Sequence, residues 1–148
     1  MSLNGRMSAA TVQPLSPEDI DEVYVLVRLG YADLTLDDWR AMATRQIASP
    51  ESTGGILIAR DGGRRPLGLL LYSIAPKFAG RPSLQVERLI SFDLIDPQAV
   101  ADAMIGEVLK IAQIQDCDSL SLVRPMDAPP QAAALVLASG VSILHRVF

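Results

Sequence analysis

The sequence predicts one α/β domain, with elements in the order β-α-α-β-β-β-α-β-α-β over residues 11–148. Two observations predict it. Apolar stripes at helical spacing alternate with short, nearly continuous apolar runs, and Pro, Gly, Asp or Ser bounds each of them. The chain has 148 residues, 49% of them apolar, which suits one domain with a sizeable core.

Residues 1–10 are set aside as a leader or flexible start, because a second methionine, Met7, follows MSLNGR. Residues 11–15 form a short strand. Ser16-Pro17-Glu18-Asp19 opens a helix: Ser16 caps, Pro17 fits the first turn and Asp19 completes a capping box. Ile20, Val23, Tyr24 and Val27 then make one apolar stripe that Gly30 ends. Thr35 opens a second helix with Leu36, Trp39, Ala43 and Ile47 on one side, and Ser49-Pro50 closes it.

Residues 54–59 are a strand, and Asp61-Gly62-Gly63 marks the following turn. Residues 67–74 are so apolar that they belong at the centre of a sheet. Residues 84–94 form a third strand, with Leu84, Val86, Arg88, Ile90 and Phe92 on one face. Asp96-Pro97 opens the longest helix, whose stripe is Ala101, Met104, Ile105, Val108, Ile111 and Ala112. After the turn Asp116-Cys117-Asp118, residues 120–123 are a core strand. Residues 131–138 (QAAALVLA) are read as a buried helix stopped by Gly140, and residues 141–148 as a final strand.

Composition narrows the function classes. Thirteen Lys and Arg against 17 Asp and Glu give a net charge of −4, which argues against nucleic acid and anionic membranes as partners. One cysteine, Cys117, and one histidine, His145, leave no disulfide framework and no structural zinc site. No metal site is expected. Without an apolar run of membrane-spanning length or a signal-peptide core, the expected compartment is the cytoplasm. Acids on either side of Cys117 should raise its thiol pKa and quench its reactivity.

Residues 96–123 read DPQAVADAMIGEVLKIAQIQDCDSLSLV. Together with the element order, this run resembles the GNAT superfamily, the acyl-CoA-dependent N-acetyltransferases, across residues 11–148. The family pattern Q/R-x-x-G-x-G/A falls on Asp96 to Ala101, and Met104 and Ile105 fall on its aliphatic pair. The resemblance implies a GNAT-like sandwich: a mixed, mostly antiparallel sheet with helices on both faces. It implies acetyl-CoA as cofactor, with the pyrophosphate at the helix start of Ala99, Val100, Ala101 and Asp102. The pantetheine arm would run along the strand at Ile90, Ser91 and Phe92. It further implies transfer of an acetyl group to an amine of a small molecule or peptide, with Glu87 as general base. The final strand or the apolar helix at 131–138 would offer a homodimer surface.

Three positions depart from the family pattern. Asp96 stands where Arg or Gln is usual, Ala99 replaces the first Gly, and Val136 falls near where many members carry a catalytic Tyr. Asp96 is also an ordinary helix N-cap, and Glu87 could be a surface residue paired with Arg88 or another cation. Two function classes follow: an N-acyltransferase, and a degenerate binding or regulatory protein that does not use coenzyme A.

Overall fold

The computed structural model describes residues 10–62, 64–76, 80–92, 96–124, 134–137 and 141–146. The leader through residue 9, the segment at 131–133 and Gly140 lie outside the described residues. The elements are β1 (Thr11–Pro14), a 3-10 turn (Pro17–Asp19), α1 (Tyr24–Gly30), α2 (Leu36–Ala48), a second 3-10 turn (Glu51–Thr53), β2 (Gly54–Arg60), β3 (Pro66–Ala75), β4 (Ser83–Phe92), α3 (Pro97–Ile114), β5 (Ser119–Arg124), β6 (Ala134–Leu137) and β7 (Val141–Arg146).

All seven strands join one sheet in the order β1-β2-β3-β4-β5-β7, with β6 paired to β4 off that path. Among the described residues only the β4–β5 pair is parallel, and the other pairs are antiparallel. The sheet is therefore mixed and mostly antiparallel. β3 lies near its centre, as a strand apolar on both faces must.

Helices cover both faces. On one face α3 packs Val100, Ala101, Met104, Val108 and Ala112 against Leu57, Leu70, Leu84, Val86 and Leu89. On the other, Val23, Leu26 and Val27 join Trp39 and Ala43 of α2 over Ile56, Ile58, Leu69 and Ile90. Burying each such aliphatic side chain is worth about 1.5–3 kcal/mol.

Three sequence expectations are corrected. The first helix does not run on from Pro17: a 3-10 turn and further turns precede α1. Trp39 explains this. Its Nε1 donates to the Ile20 carbonyl at 2.7 Å, and the Tyr24 N–H bonds Asp21 O at 3.2 Å instead of that carbonyl. The Asp19 half of the capping box is present, with the Ser16 N–H donating to Asp19 Oδ2 at 3.3 Å.

Residues 134–137, expected inside a helix, are the strand β6, paired antiparallel with Leu89–Phe92. A short run that is apolar all round carries no period to separate a buried helix from a strand, and here pairing to β4 decides. The third correction is in β4. Leu71 pairs with Arg88 and Tyr72 with Val86, so Glu87 is one extra residue, a β-bulge. The bulge reverses the alternation. Leu84 and Val86 join the α3 core, while Ile90 and Phe92 join the α1–α2 core. They do not share a face.

Candidate functional site

β4 changes partner at its bulge. Ser83–Val86 pair in parallel with Ser119–Leu122 of β5, and Leu89–Phe92 pair with β6. Glu87 and Arg88 lie between these two regions. Glu87 is exposed, and no ion pair among the described residues includes it. Arg88 is half-buried, and its Cζ stands 4.2 Å from the centroid of the Tyr31 ring. The resemblance pointed to Glu87; the Arg88–Tyr31 contact was missed. The available signal was a lone Arg inside an apolar alternation.

Tyr31 follows α1 directly. Its N–H donates to Val27 O at 2.8 Å, and its carbonyl accepts the Leu34 N–H at 3.1 Å. The Tyr24 hydroxyl donates to the Leu34 carbonyl, pinning the same loop. Asp33, Asp37 and Asp38 are exposed around it. Asp37 is paired with Arg40 at 3.3 Å, and the Asp38 N–H is taken by the Thr35 cap at 3.1 Å.

The start of α3 can be tested against the cofactor that the resemblance implies. Asp96 Oδ1 accepts the Ala99 N–H at 3.1 Å, so one amide needed by an anion is already bonded. Asp102, exposed in the second turn, accepts from Gln98 Nε2 at 2.9 Å. No Lys or Arg occurs from Asp96 to Leu109. Val100 and Ala101 are buried in the core, leaving their backbone alone to face a ligand. Ile90, Ser91 and Phe92 pair through their backbones with Val136, Leu135 and Ala134. The β4 edge on which the pantetheine arm was expected thus carries β6. As the chain is folded, the residues present do not fit coenzyme A.

Two cavities lie elsewhere. A groove of about 1010 Å³ borders the Pro17–Asp19 turn and the β2–β3 connection. Of its three lining cations, Arg60, Arg64 and Arg65, the first already donates to Asp19 at 2.7 Å and Glu22 at 2.8 Å. Burial alone would raise the Asp19 carboxyl, but hydrogen bonds from Ser16 and the Arg60 guanidinium hold it below its ordinary range. A second cavity, of about 350 Å³, is bounded by Leu15, Ile47, Gly55, Tyr72 and Ile111 among others. Neither includes Glu87, Arg88 or the start of α3.

Cys117 is fully buried, and burial, then Asp118 and Asp116, push its thiol up. Among the described residues no cluster of His, Cys, Asp or Glu could hold a metal, and no helix is long and apolar enough to cross a membrane.

No family model and no curated protein sequence matches the chain. Solved structures do. An aminoglycoside 6'-N-acetyltransferase of Acinetobacter baumannii superposes with TM-score 0.67 at 16% identity, covering 76% of this chain and 77% of that one. A second aminoglycoside N-acetyltransferase, solved with coenzyme A, gives 0.67 at 14% identity, covering 82% and 78%. A transcriptional regulator of Bacillus halodurans gives 0.62 at 13% identity, covering 75% and 78%. The likeness, with the mixed sheet and its two helical faces, establishes that this chain has the GNAT fold.

Proposed function

We propose that this chain uses the GNAT fold as a ligand-binding or regulatory domain and does not use coenzyme A. The observation that carries this reading is the Asp96–Ala99 bond at 3.1 Å. An incoming diphosphate would meet a carboxylate and a satisfied amide where a helix N-terminus normally offers open donors. The absence of any Lys or Arg from Asp96 to Leu109 removes the compensation a basic residue would supply. Calorimetric titration with coenzyme A and acetyl-CoA tests it. The expected result is no saturable binding by either, and tight binding by the unmodified chain overturns the reading.

A second reading is kept because Glu87 favours it. The chain would then be an acetyl-CoA-dependent N-acyltransferase; two of the superposed proteins are N-acetyltransferases by name. Glu87 is exposed, has no ion pair among the described residues, and sits at the extra position of the β4 bulge. It would take the proton from an amine of a small molecule or peptide. Acyl transfer across a broad amine panel decides for this class. For assembly, β7 ends the strand path, and we propose a homodimer through that edge, to be checked by light scattering.

A further inference from the structure

We infer that Arg88 and Tyr31 form a recognition subsite for the carboxylate of a small ligand, with zwitterionic α-amino acids as the simplest members of the class. This rests on the reading of the chain as a ligand-binding domain and names its ligand.

Arg28, Arg45, Arg64 and Arg65 are exposed to water, whereas Arg88 is partly buried. Arg60 is paired with Asp19 and Glu22, Arg40 with Asp21 and Asp37, and Arg81 with Asp116. Among the described residues no ion pair includes Arg88, and its Nε is buried with no hydrogen-bond partner. Acids outnumber bases in this chain, 17 to 13, so carboxylates were available to neutralise it. A guanidinium keeps its charge at every accessible pH. Withdrawing such donors from water without an acceptor is costly, and a bound anion would remove that cost.

The geometry also holds the group ready. Tyr31 lies 4.2 Å from Cζ, against one face of the guanidinium, and the backbone bonds of the Tyr31–Leu34 loop hold the ring in place. The end of α1 lies beside the stem: a Cβ built on Gly30 would stand 3.2 Å from Arg88 Cδ. Stem and head are therefore both confined by neighbours, which reduces the rotamer freedom lost on binding. A guanidinium presents a planar fork that matches a planar carboxylate with two parallel bonds.

Charge favours a carboxylate over a phosphate. One cation balances one negative charge, and Glu87, the adjacent residue in the chain, adds a nearby negative charge that disfavours a dianion. For an amino acid the same nearby charge favours the ammonium. The α3 start offers no such cation, so the two ends of this surface differ in the ligand they would accept.

The test is a titration of the full chain, at fixed ionic strength, with glycine, glutamate, acetate and inorganic phosphate. Nitrogen-edited NMR follows the Arg88 Nε–H. The expected result is saturable binding of the amino acids with a shift of that resonance. Arg88→Gln and Arg88→Lys should each weaken binding at least about tenfold, because a point-charge ammonium does not replace the fork. Unchanged circular dichroism would show that both variants fold. If Arg88→Gln does not fold, the Nε–H shift in the parent decides. No saturable binding by any carboxylate, or binding without movement of the Arg88 signal, overturns the inference. So does equal affinity in a folded Arg88→Gln variant, or phosphate binding as tightly as the carboxylates. Coenzyme A titration reports on α3 and amino-acid titration on Arg88, so either reading can fail while the other stands.

Discussion

Asp96 caps α3 through the Ala99 N–H at 3.1 Å, and both residues sit where the GNAT pattern places a cation or amide and a glycine. The helix start carries a carboxylate where that pattern carries a cation or an amide. Asp96→Arg combined with Ala99→Gly should therefore create coenzyme A binding at least about tenfold tighter than the parent's by calorimetry. Loss of the cap costs about 1 kcal/mol and a first-turn glycine up to as much again, which a stability of roughly 5–15 kcal/mol tolerates. Equal binding by parent and variant would show that the diphosphate never approaches this helix.

Gly30 is held to its identity by packing. A Cβ there would stand 2.7 Å from Ile90 Cδ1 and 3.1 Å from Ile90 Cγ1. Ile90 is fully buried, so any shift that makes room for the methyl must be taken up by the core around it. Gly30→Ala should lower stability in urea unfolding by about 1–3 kcal/mol, the usual cost of overpacking, despite Ala's better helix propensity. It should also weaken amino-acid binding, because the same helix end braces Arg88. A variant as stable as the parent would mean that α1 shifts freely on the sheet.

These two sites show what was legible in the sequence. The caps at Thr35 and Asp96 could be read because a cap needs only local spacing, and both hydrogen bonds are present. The β4 bulge could not be read from alternation, which assumes an unbroken period of two. Its trace was the consecutive pair Leu89-Ile90, both fully buried on opposite faces. β6 was misread because Ala134–Leu137 carries four apolar residues and no period, so only its pairing with β4 separates strand from helix. Arg88 was read on one face with Ile90 and Phe92, where its contact with Tyr31 places it, but alternation names no partner across that face.

Cys117 should be inert in the native state. It is fully buried and its thiol is pushed up, so little thiolate exists and reagents do not reach it. Labelling by a thiol reagent at neutral pH should be slow without denaturant and complete in unfolding concentrations of urea. Rapid labelling of the native chain would show that the turn after α3 opens locally.

Glu87 separates the two function classes. Should acyl transfer to any amine be found, Glu87→Gln should reduce turnover by roughly 10²–10⁴-fold, the range for a positioned base. Cofactor affinity should be nearly unchanged, since Glu87 lies outside the α3 start. Unchanged turnover would return Glu87 to an ordinary surface role.

The Asp19–Arg60 pair sets an acid limit on stability. Its side chains are 17% and 12% exposed, and the N–O distance is 2.7 Å. The Asp19 carboxyl is held below its ordinary value in the folded chain by Ser16 and Arg60, against the opposing effect of burial. In the unfolded chain it returns to about 3.9. Its contribution is therefore fully present above that unfolded value and is lost as pH falls through the lower folded one. Asp19→Asn should flatten the fall in stability below about pH 4 and lower stability at neutral pH by about 1–2 kcal/mol. That exceeds a surface pair, worth about 0–1 kcal/mol, because both groups are largely shielded from water. It stays below the roughly 3–5 kcal/mol of breaking a fully buried pair, because Glu22 remains 2.8 Å from Arg60. Asp21→Asn is the control: its pair with Arg40 is about half exposed on both sides, at 61% and 48%, and its loss should leave stability nearly unchanged. Urea unfolding at pH 7 and at pH 3 measures both variants. An Asp19→Asn acid profile that parallels the parent's would show that the carboxyl titrates alike in the folded and unfolded chain.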